Sequence, residues 1–523
     1  MSDGVRSWIE NPWVIALTVT LATFIEVLDT SIANVALPHI GGNLSATPEE
    51  STWVLTSYLV ANAVVLPLSG WLSGMLGRKR FNMICVTIFT LSSALCGMAP
   101  TLSMLVLFRV IQGLGGGGLQ PTVQAILVDT FPAAQRGMAM AVYTVAILIA
   151  PVMGPTLGGW ITDNYSWRWI FYINVPVGAL SLFLTSIVLK DPPYLVEQLK
   201  ARAGKPFRID YIGLSLISIG LATLEILLDK GQEEDWFSSK LIICLAVTAC
   251  VSLVSAVIWE LRHPEPILNL RLFGERNFLL CSIVCFAVYA TLFASTVLLP
   301  QLLQGLMGYS ATQAGMVLSP AGLVTMLEMP IIGYMLTKGA DARYLIVFGL
   351  SIVAFSSKWL SGIDLTVTAS HVIWPRVVQV MGSAMMFVPI NTIAYRFIPK
   401  DQTNNASGLF SLVRNEGSSI GVAAVTTLLA RHVQVHQSHL VERITPLKPM
   451  AVEAIARATA LLGPGAPEGA GLIFVRGAVA RQAAILAYLD MFRLFGLLIL
   501  MVIPLVFLMK KGGPPAADAM AAH

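Results

Sequence analysis

The stretch TFIEVLDTSIANVALP, residues 23–38, places two carboxylic acids, Glu26 and Asp29, inside an apolar run that begins at Trp13. About 20 apolar residues are enough for a helix to cross the hydrocarbon core of a bilayer. An ionised side chain at the centre of such a helix costs about 2.5 to 3.5 kcal/mol on insertion scales. Two acids three residues apart in this position therefore indicate a functional site inside a membrane helix.

The whole chain has the composition of a membrane protein. Of its 523 residues, 56% are hydrophobic and only 12% are charged, whereas soluble domains average about 25% charged residues. The net charge of +4 is small and the basic residues form short clusters between apolar runs, which argues against a nucleic-acid partner. All six cysteines lie in apolar segments, where a thiol behaves as a small hydrophobic group, so we predict no disulfides.

Fourteen apolar segments are long enough to span a membrane. The predicted spans are 13–37, 52–74, 81–99, 102–127, 137–161, 168–189, 210–228, 241–260, 277–300, 312–336, 344–362, 371–395, 406–429 and 485–508. Short connections on one side carry most of the arginines and lysines, so the positive-inside rule places that side and both termini in the cytoplasm. The long segment 431–483 also contains arginines but falls on the other side, and the rule does not apply to long loops.

Two halves of the chain repeat the same motifs at a similar spacing. The first span ends in ALP (36–38) and the ninth in LLP (298–300), while RVIQG (109–113) in the fourth span is echoed by RVVQVMG (376–382) in the twelfth. Parallel repeats around a central site are typical of secondary transporters, in which one bundle rocks against the other. Chance similarity between short apolar motifs is the alternative.

The repeat predicts an all-α membrane protein with two six-helix bundles and two inserted helices. We expect residues 1–190 to form the N-terminal bundle and residues 191–276 to form a cytoplasmic linker followed by inserted helices 7 and 8. Residues 277–523 then form the C-terminal bundle, with an extracytoplasmic segment at about 431–483.

The glycine run GLGGGG (113–118) contains G-x-G-x-x-G but lies within a span. It neither follows a strand nor opens a soluble βαβ unit, so we do not interpret it as a nucleotide site. Small residues in a membrane helix instead allow close packing. The same reasoning applies to PVMGPTLGGW (151–160), where Gly154, Pro155 and Gly158 form either a contact between bundles or a purely structural kink.

These segments together resemble the major facilitator superfamily and, within it, the fourteen-span drug:proton antiporters. LDTSIANVALP (28–38), RVIQG, APVMGPTLGGWI (150–161) and WRWIFYINVPVG (167–178) are similar to the motifs of that family. LDKGQEEDWFSS (228–239) and VLLPQLLQ (297–304) resemble more narrowly the EmrB-type permeases of Gram-negative bacteria. The fold implied is the major facilitator fold.

The resemblance implies an exporter of hydrophobic or amphiphilic toxic compounds in the bacterial inner membrane, driven by the proton gradient and needing no cofactor. It further implies two partners, a periplasmic adaptor of the EmrA type and an outer-membrane channel of the TolC type. Export of one natural amphiphile, such as a fatty acid or siderophore, is the alternative within transport. A polytopic membrane enzyme is less favoured, because we find no zinc-protease motif and no nucleophile elbow.

The superfamily loop after span two departs from its usual form in this chain. The usual pattern is G-x-L-a-D-r-x-G-r-k, whereas GWLSGMLGRK (70–79) has Gly74 in place of the acid. A gating role is nevertheless expected for the residues that match this motif and the antiporter motif, and a structural or gating role for the arginines of the second half. They are Gly70, Gly77, Arg78, Lys79, Gly154, Pro155, Gly158, Gly159, Arg376 and Arg414.

Helix geometry suggests a partner for Asp29. This residue lies nine positions before Pro38, about 14 Å along a helix, and Arg109 lies a similar distance from the turn at Pro100. We therefore predict a buried Asp29–Arg109 ion pair with Gln112 one turn away. A carboxylate beside an arginine keeps its charge, whereas an unpaired buried one binds a proton, so separating the pair would switch proton affinity.

The proton-coupling candidates are therefore Asp29, Glu26 and Arg109. Glu26 has no partner assignable from the sequence. It is either a second proton site or the contact for a cationic substrate, and a pore-lining polar residue without such a role is the alternative. The full set of substrate-binding candidates is Glu26, Thr30, Asn34, Gln112, Glu328 and Glu225.

Three histidines, His432, His436 and His439, share one helical face in the long outer segment. The sequence shows no acid or thiol that completes a ligand set with them, so we predict no metal site. Asp490 and Arg493, three residues apart in the last span, are expected to neutralise each other.

Overall fold

The structure is a computed structural model that describes residues 11–202, 210–264, 266–309, 311–364, 368–399, 402–442, 449–463, 467 and 469–510. These residues form helices joined by short connections. The helices of the first half are α1 (Pro12–Asn43), α2 (Pro48–Leu76), α3 (Arg78–Met98), α4 (Leu102–Gly116), α5 (Leu119–Thr130), α6 (Ala133–Asn164), α7 (Trp169–Tyr172), α8 (Asn174–Val188) and α9 (Pro193–Arg202). Those that follow are α10 (Tyr211–Lys230), α11 (Lys240–Arg262), α12 (Arg276–Gln301), α13 (Ala311–Thr337), α14 (Ala342–Leu360), α15 (Ser370–Ala394), α16 (Thr403–Val441), α17 (Pro449–Leu462) and α18 (Ala470–Phe507).

Each of the fourteen predicted spans is helical. Within the described ranges, twelve helical segments are long and apolar enough to cross a membrane. The fifth and thirteenth predicted spans are not among these twelve, but they lie in the long helices α6 and α16, of 32 and 39 residues. The fourth span consists of two consecutive helices, α4 and α5, because the run of glycines falls where they meet.

Local sequence signals define several helix ends. Asn11 caps α1, and its side chain accepts a hydrogen bond from the Trp13 amide. Thr47 and Glu50 form a capping box at the start of α2, where each side chain binds the other residue's backbone, which satisfies amides that the helix leaves free. Gly77 joins α2 to α3 with φ of 85°, a conformation that disfavours residues with a Cβ atom.

The two halves of the molecule repeat the same helix contacts. In the first half, α1 packs on α6 and α8, while α4 packs on α2 and α3. In the second half, α12 packs on α16 and α18, while α15 packs on α13 and α14. The observed fold is thus the predicted one of two six-helix bundles.

The bundles meet mainly along two contacts, α2 with α16 and α6 with α13, and α5 also packs on α16. The inserted pair, α10 and α11, lies beside the first of these contacts, because α10 packs on both α2 and α16. We call the side on which α1 begins and α18 ends the terminal face, and the opposite side the far face. Helices α16 and α18 extend beyond the other spans at the far face, and α17 packs against α18 there.

Candidate functional site

The predicted ion pair is present in the first bundle. The Nη1 atom of Arg109 lies 2.5 Å from Oδ2 of Asp29, and both side chains are almost fully buried. Gln112 completes the pair, donating to Oδ1 of Asp29 at 3.1 Å and accepting from Arg109 at 2.9 Å. Arg109 also donates to the carbonyl of Val54 at 3.0 Å. These contacts satisfy the Asp29 carboxylate and most donors of Arg109, as a buried pair requires, while Nη2 of Arg109 has no hydrogen-bond partner among the described residues.

A further ligand of Asp29, Asn174 in α8, was not among the predicted site residues. Its Nδ2 atom donates to Oδ1 of Asp29 at 2.6 Å and also lies 3.0 Å from Oγ of Ser93. A signal was present in the sequence, because Asn174 is a polar residue within the apolar motif WRWIFYINVPVG. Asp29 is thus held by one cation and two neutral amides from α4 and α8.

Glu26 is also buried and bonded, although the sequence offered it no partner. It accepts from the side chains of Gln120 at 2.9 Å, Asn62 at 3.2 Å and Tyr58 at 3.3 Å. The structure thus shows the partners of Glu26 that could not be assigned from the sequence. These three donors are neutral and come from α2 and α5, and a pattern along α1 does not reveal which helices pack beside it.

The glycine run makes these contacts possible. A Cβ atom at Gly116 would lie 2.5 Å from the Tyr58 hydroxyl, and one at Gly113 would lie 2.4 Å from the Tyr58 carbonyl oxygen. Larger residues would separate α4 from α2. The glycines therefore let Tyr58 reach Glu26, in agreement with their interpretation as packing residues.

The two acids belong to one network. The Arg109 guanidinium lies over the Tyr58 ring at 4.3 Å from its centroid, within the range of a cation–π contact. Since Tyr58 also donates to Glu26, a chain of contacts joins both carboxyl groups to one arginine. Within the described part of the chain, this network holds two acids and one cation, so one negative charge remains when both acids are ionised.

The other substrate candidates on α1 differ in their positions. The Thr30 hydroxyl is partly buried and donates to the main-chain oxygen of Glu26 at 3.2 Å. Asn34 is exposed. The network therefore includes Thr30 at its edge and leaves Asn34 outside.

The two remaining acidic candidates lie apart from this network. Glu225 in α10 accepts from Asn415 at 2.9 Å and from Ser419 at 3.1 Å, so it joins the inserted pair to α16, as expected for local helix pairing. Glu328 in α13 is partly buried, and its Oε2 atom has no hydrogen-bond partner among the described residues. Glu416, which was not predicted, has both carboxylate oxygens buried without such a partner.

Arg376 occupies the position in the second bundle that Arg109 occupies in the first. It donates to Gln379 at 2.7 Å, to Ser295 at 3.1 Å and to Thr296 at 2.9 Å. These partners are an amide and two hydroxyl groups. Arg376 is buried, with only 7% of its surface exposed. Even so, no ion pair involves it within the described ranges.

The loop motif after α2 keeps an ion pair despite Gly74. Arg78 pairs with Asp129 and donates to the Tyr194 hydroxyl at 2.7 Å. Tyr194 in turn donates to Asp129 at 2.6 Å, and burial raises the pKa of Tyr194 above its usual range, so the phenol remains a donor. These contacts tie α3 to α5 and α9 at the terminal face.

Lys79 anchors the same loop through its backbone amide and its side chain. Its amide donates to Asp191 at 2.9 Å and its ammonium group donates to the carbonyl of Ser186 at 2.6 Å. A Cβ atom at Gly77 would lie 2.7 Å from a carboxylate oxygen of Asp191, which the Lys79 amide holds, so space as well as φ disfavours a side chain at this position.

The bundles touch in the half of the membrane nearest the terminal face. Ser407 in α16 donates to the carbonyl of Pro121 at 3.0 Å. A Cβ atom at Gly408 would lie 2.9 Å from the Pro67 carbonyl oxygen and 3.4 Å from the backbone nitrogen of Gly70. The predicted gating residue Gly70 therefore lies where α2 of the first bundle crosses α16 of the second.

Arg414 lies at the same boundary. With its amide oxygen turned toward the guanidinium, Gln124 of the first bundle accepts from Arg414 at 2.7 and 2.9 Å. Arg414 also lies over the Tyr289 ring of its own bundle at 5.6 Å. A cation shared in this way links the bundles in the present conformation.

Two glycines of the antiporter motif in α6 pack within the first bundle. A Cβ atom at Gly154 would lie 2.2 Å from the Ser31 hydroxyl, and one at Gly158 would lie 3.1 Å from Ile32. Gly159 has no atom within 4 Å of its Cβ position, and Pro155 lies within the continuous helix. Gly154 and Gly158 therefore bring α6 against α1 rather than forming the contact between bundles.

The prediction that no acid lies beside the three histidines is wrong. Asp490 of α18 pairs with Arg493 at 2.9 Å, as predicted, but it also lies 3.1 Å from His432 and 2.7 Å from His436. An acid therefore does complete a group with two of the three histidines. The sequence could not show this, because Asp490 is more than fifty residues away along the chain.

Two bundles of membrane helices, the first of which encloses a buried ionic network, define a membrane protein of the two-bundle transporter class. The chain matches the family described as Major Facilitator Superfamily over residues 19–422. It belongs to this superfamily and is a multi-pass membrane transporter.

Two related proteins are similar to this chain over nearly the whole length of both sequences. The chain is 36% identical over 515 residues to the multidrug export protein EmrB of Escherichia coli K12, with 98% of each chain covered. It is also 36% identical over 513 residues to the fatty acid resistance protein FarB of Neisseria gonorrhoeae, again with 98% of each covered.

A solved structure shows the same fold. The proton:xylose symporter XylE, bound to 6-bromo-6-deoxy-D-glucose, matches with a TM-score of 0.59 at 14% identity. The match covers 97% of this chain and 100% of that one. At this identity the likeness concerns the fold alone.

Proposed function

We propose that the protein is a proton-driven exporter of hydrophobic or amphiphilic compounds. The observation that carries the proposal is the buried network in which two carboxyl groups share one arginine. An excess negative charge in an apolar interior is neutralised by a bound proton or a bound cation. A site of this charge is what exchange of protons for drugs requires.

The proposed cycle uses Asp29 as the proton carrier. A proton entering from the far side binds Asp29 and weakens its attraction to Arg109, which then relies on Gln112 and Val54. Rocking of the bundles opens the site to the terminal side, where the proton leaves and substrate enters. The restored ion pair favours the return movement, and the substrate leaves on the far side.

Glu26 is proposed as the second functional acid of the same site. Its three donors are neutral amide and phenol groups, so its charge has no cationic partner of its own among the described residues. A cationic substrate would provide that partner. Thr30 and Gln112 are proposed to line the same site, while Asn34, Glu225 and Glu328 stay candidate contacts for other parts of a substrate.

The contacts between the bundles are proposed to form the gate on the terminal side. Gly70 and Arg414 lie at the boundary itself. The Arg78 and Lys79 contacts fix the loop that moves with the first bundle. Opening toward the terminal side would require Arg414 to leave Gln124.

The terminal face is proposed to be cytoplasmic and the membrane to be the bacterial inner membrane. The basic loop residues Arg78, Lys79, Lys190 and Arg271 all lie toward that face, as the positive-inside rule requires. No cofactor is needed in this scheme, because the proton gradient supplies the energy.

Transport in inside-out membrane vesicles tests the proposal directly. Substrate uptake should follow an imposed proton gradient, stop when a protonophore collapses that gradient, and be indifferent to ATP. Uptake that persists without the gradient but follows ATP would overturn the mechanism. Vesicles without the protein provide the background.

Export of a natural amphiphile is the second candidate. The similarity to FarB favours this second candidate, because it is as extensive as the similarity to EmrB. Competition distinguishes the two, because a dedicated fatty-acid exporter would be inhibited by long-chain fatty acids at concentrations at which cationic dyes have no effect. A multidrug exporter would be inhibited by both.

The extension at the far face is proposed to bind a periplasmic adaptor of the EmrA type that leads to an outer-membrane channel of the TolC type. Large apolar side chains are exposed there, including Met450, Leu461 and Ile473. Exposed apolar residues on an extramembrane surface mark an interaction site. Replacing these three by serine should abolish co-purification of the adaptor while leaving vesicle transport intact, and unchanged co-purification would refute the assignment.

A further inference from the structure

His432, His436 and Asp490 bring three metal-binding side chains together from two helices. Nδ1 of His432 lies 3.1 Å and Nε2 of His436 lies 2.7 Å from the same atom, Oδ2 of Asp490. The three ligand atoms all lie within 4.8 Å of one another. The histidines are four residues apart, one helical turn, so α16 presents both rings to the same side.

The geometry points to a binding site for a divalent transition metal, with Zn²⁺ the best match, between α16 and α18. Imidazole nitrogen and carboxylate oxygen are common zinc ligands, and at bond lengths of about 2.0 to 2.1 Å they stand about 3.4 Å apart around a tetrahedral ion. The two observed separations from Asp490, 3.1 and 2.7 Å, need to widen by less than about 1 Å to reach that value. Ca²⁺ and Mg²⁺ prefer oxygen ligands and fit this group less well.

The surroundings of Asp490 leave one of its oxygens available for the metal. Arg493 donates to Oδ1 at 2.9 Å, while Oδ2 faces the two histidines. A hydrogen bond to the second oxygen of a ligating carboxylate is a usual way to orient it. Arg493 would therefore bond one oxygen of Asp490 while the metal ion binds the other.

The site is open to the solution on one side. The side chains of His432 and His436 are 41% and 26% exposed, so an ion reaches them without unfolding. Three protein ligands leave one position of a tetrahedral ion for water. This is a site that binds and releases metal rather than a closed structural one.

The positions along the two helices place the site at the far edge of the membrane. Asp490 is 17 residues before the end of α18, about 26 Å along the helix at 1.5 Å per residue. His432 is 29 residues from the start of α16, about 44 Å along the helix at 1.5 Å per residue, whereas the hydrocarbon core is about 30 Å thick. The metal would join the outer parts of α16 and α18 where they leave the second bundle. Helix α16 also forms the contact with α2, so the ion would clamp a helix that moves during transport.

Metal titration of the purified full-length protein tests the inference. The protein should be prepared without a polyhistidine tag, in detergent, and titrated with Co²⁺ followed by absorption and with Zn²⁺ followed by calorimetry. We expect one ion per chain, a cobalt spectrum typical of tetrahedral coordination, and a rise in the thermal midpoint with Zn²⁺, since a ligand bound only by the folded state stabilises it.

Variants on the same helix provide the matched control. His436→Ala and His432→Ala should each weaken Zn²⁺ binding by at least about tenfold, the lower limit seen even for residues that only support a metal ligand. His439→Ala, which is exposed and outside the group, should bind as the unmodified protein does. The thermal midpoint without metal shows whether each variant is folded, and Asp490→Asn serves as a third ligand variant.

Two results would overturn the site. One is the absence of saturable Zn²⁺ binding at one ion per chain in the unmodified protein. The other is equal binding by the His436 and His439 variants, which would show that exposed histidines in general, rather than this group, take up the ion.

Discussion

The two buried arginines at equivalent places in the repeated halves have different partners. Arg109 faces the carboxylate of Asp29 at 2.5 Å, whereas Arg376 donates to Gln379, Ser295 and Thr296. Both arginines have a glutamine three residues later as a hydrogen-bond partner. The repeat therefore has the arginine and its glutamine in both halves, but among the described residues an acid lies beside them in the first bundle alone.

This difference separates a site that can exchange a proton from one that cannot. An arginine remains charged at any physiological pH, so a site made of arginine, amide and hydroxyl groups has a fixed charge. A carboxylate beside the arginine changes the charge of its site when it binds a proton. We infer that the first bundle carries the coupling reaction and that Arg376 organises the packing of the second.

The largest effect is expected for Asp29→Asn. Asparagine keeps the shape of the side chain but cannot exchange a proton, so proton-driven transport should fall to the level of vesicles without the protein. The variant should still be inserted in the membrane, as measured by its yield and by a single symmetrical peak in size-exclusion chromatography. Normal gradient-driven transport by this variant would remove Asp29 from the mechanism.

The comparison of Arg109→Gln with Arg376→Gln is expected to show the next largest difference. Removing Arg109 leaves Asp29 buried without its cation, which costs about 3 to 5 kcal/mol for a buried pair. Removing Arg376 leaves only neutral partners without a hydrogen bond, which costs about 1 to 3 kcal/mol of stability. Thermal unfolding in detergent measures both variants side by side, and equal losses would contradict the proposed asymmetry.

Glu26→Gln is expected to affect cationic substrates selectively. A hydrogen-bonded or ionic contact with a charged group is worth about 1.5 to 3 kcal/mol, so KM for a cationic dye should rise about tenfold or more. KM for a neutral substrate should stay nearly constant. If transport of both substrates stops instead, Glu26 is a second proton site rather than a substrate contact.

The smallest effect is expected for Asn174→Ala. It removes a neutral donor from Asp29 but leaves Arg109 and Gln112 in place, so stability should fall by about 1 to 3 kcal/mol and transport should be reduced without being lost. Ser92→Ala is the control, since its buried hydroxyl donates to main-chain oxygens of its own helix and does not touch Asp29 or Asn174. Equal transport by the two variants would show that the Asn174 contact has no role in coupling.

Several features could be predicted because they depend on positions along one helix or on depth in the membrane. The spans follow from the length of apolar runs. The Asp29–Arg109 pair follows from depth, because two charges at the same level of a bundle lower their cost by meeting. The Asp490–Arg493 pair follows from a spacing of three residues on one helix.

Other features depended on which helices lie side by side. Glu26 is bonded from α2 and α5, whose donors lie 32 to 94 residues away in sequence. Glu225 faces α16 of the second bundle rather than the network around Asp29. No periodic pattern on α1 or α10 identifies such neighbours, because in lipid the choice of neighbour depends on close packing of small residues rather than on hydrophobicity.

The sequence by itself thus determined the membrane fold, the repeated halves and the acid that meets Arg109, since hydropathy, helical period and depth are properties of single segments. Only the tertiary structure decided the partners of Glu26, the contact of Asn174 with Asp29 and the joining of Asp490 to His432 and His436. The physical reason is that these contacts run sideways between helices. Their geometry is set by helix packing across the whole bundle, which is a property of the assembled chain.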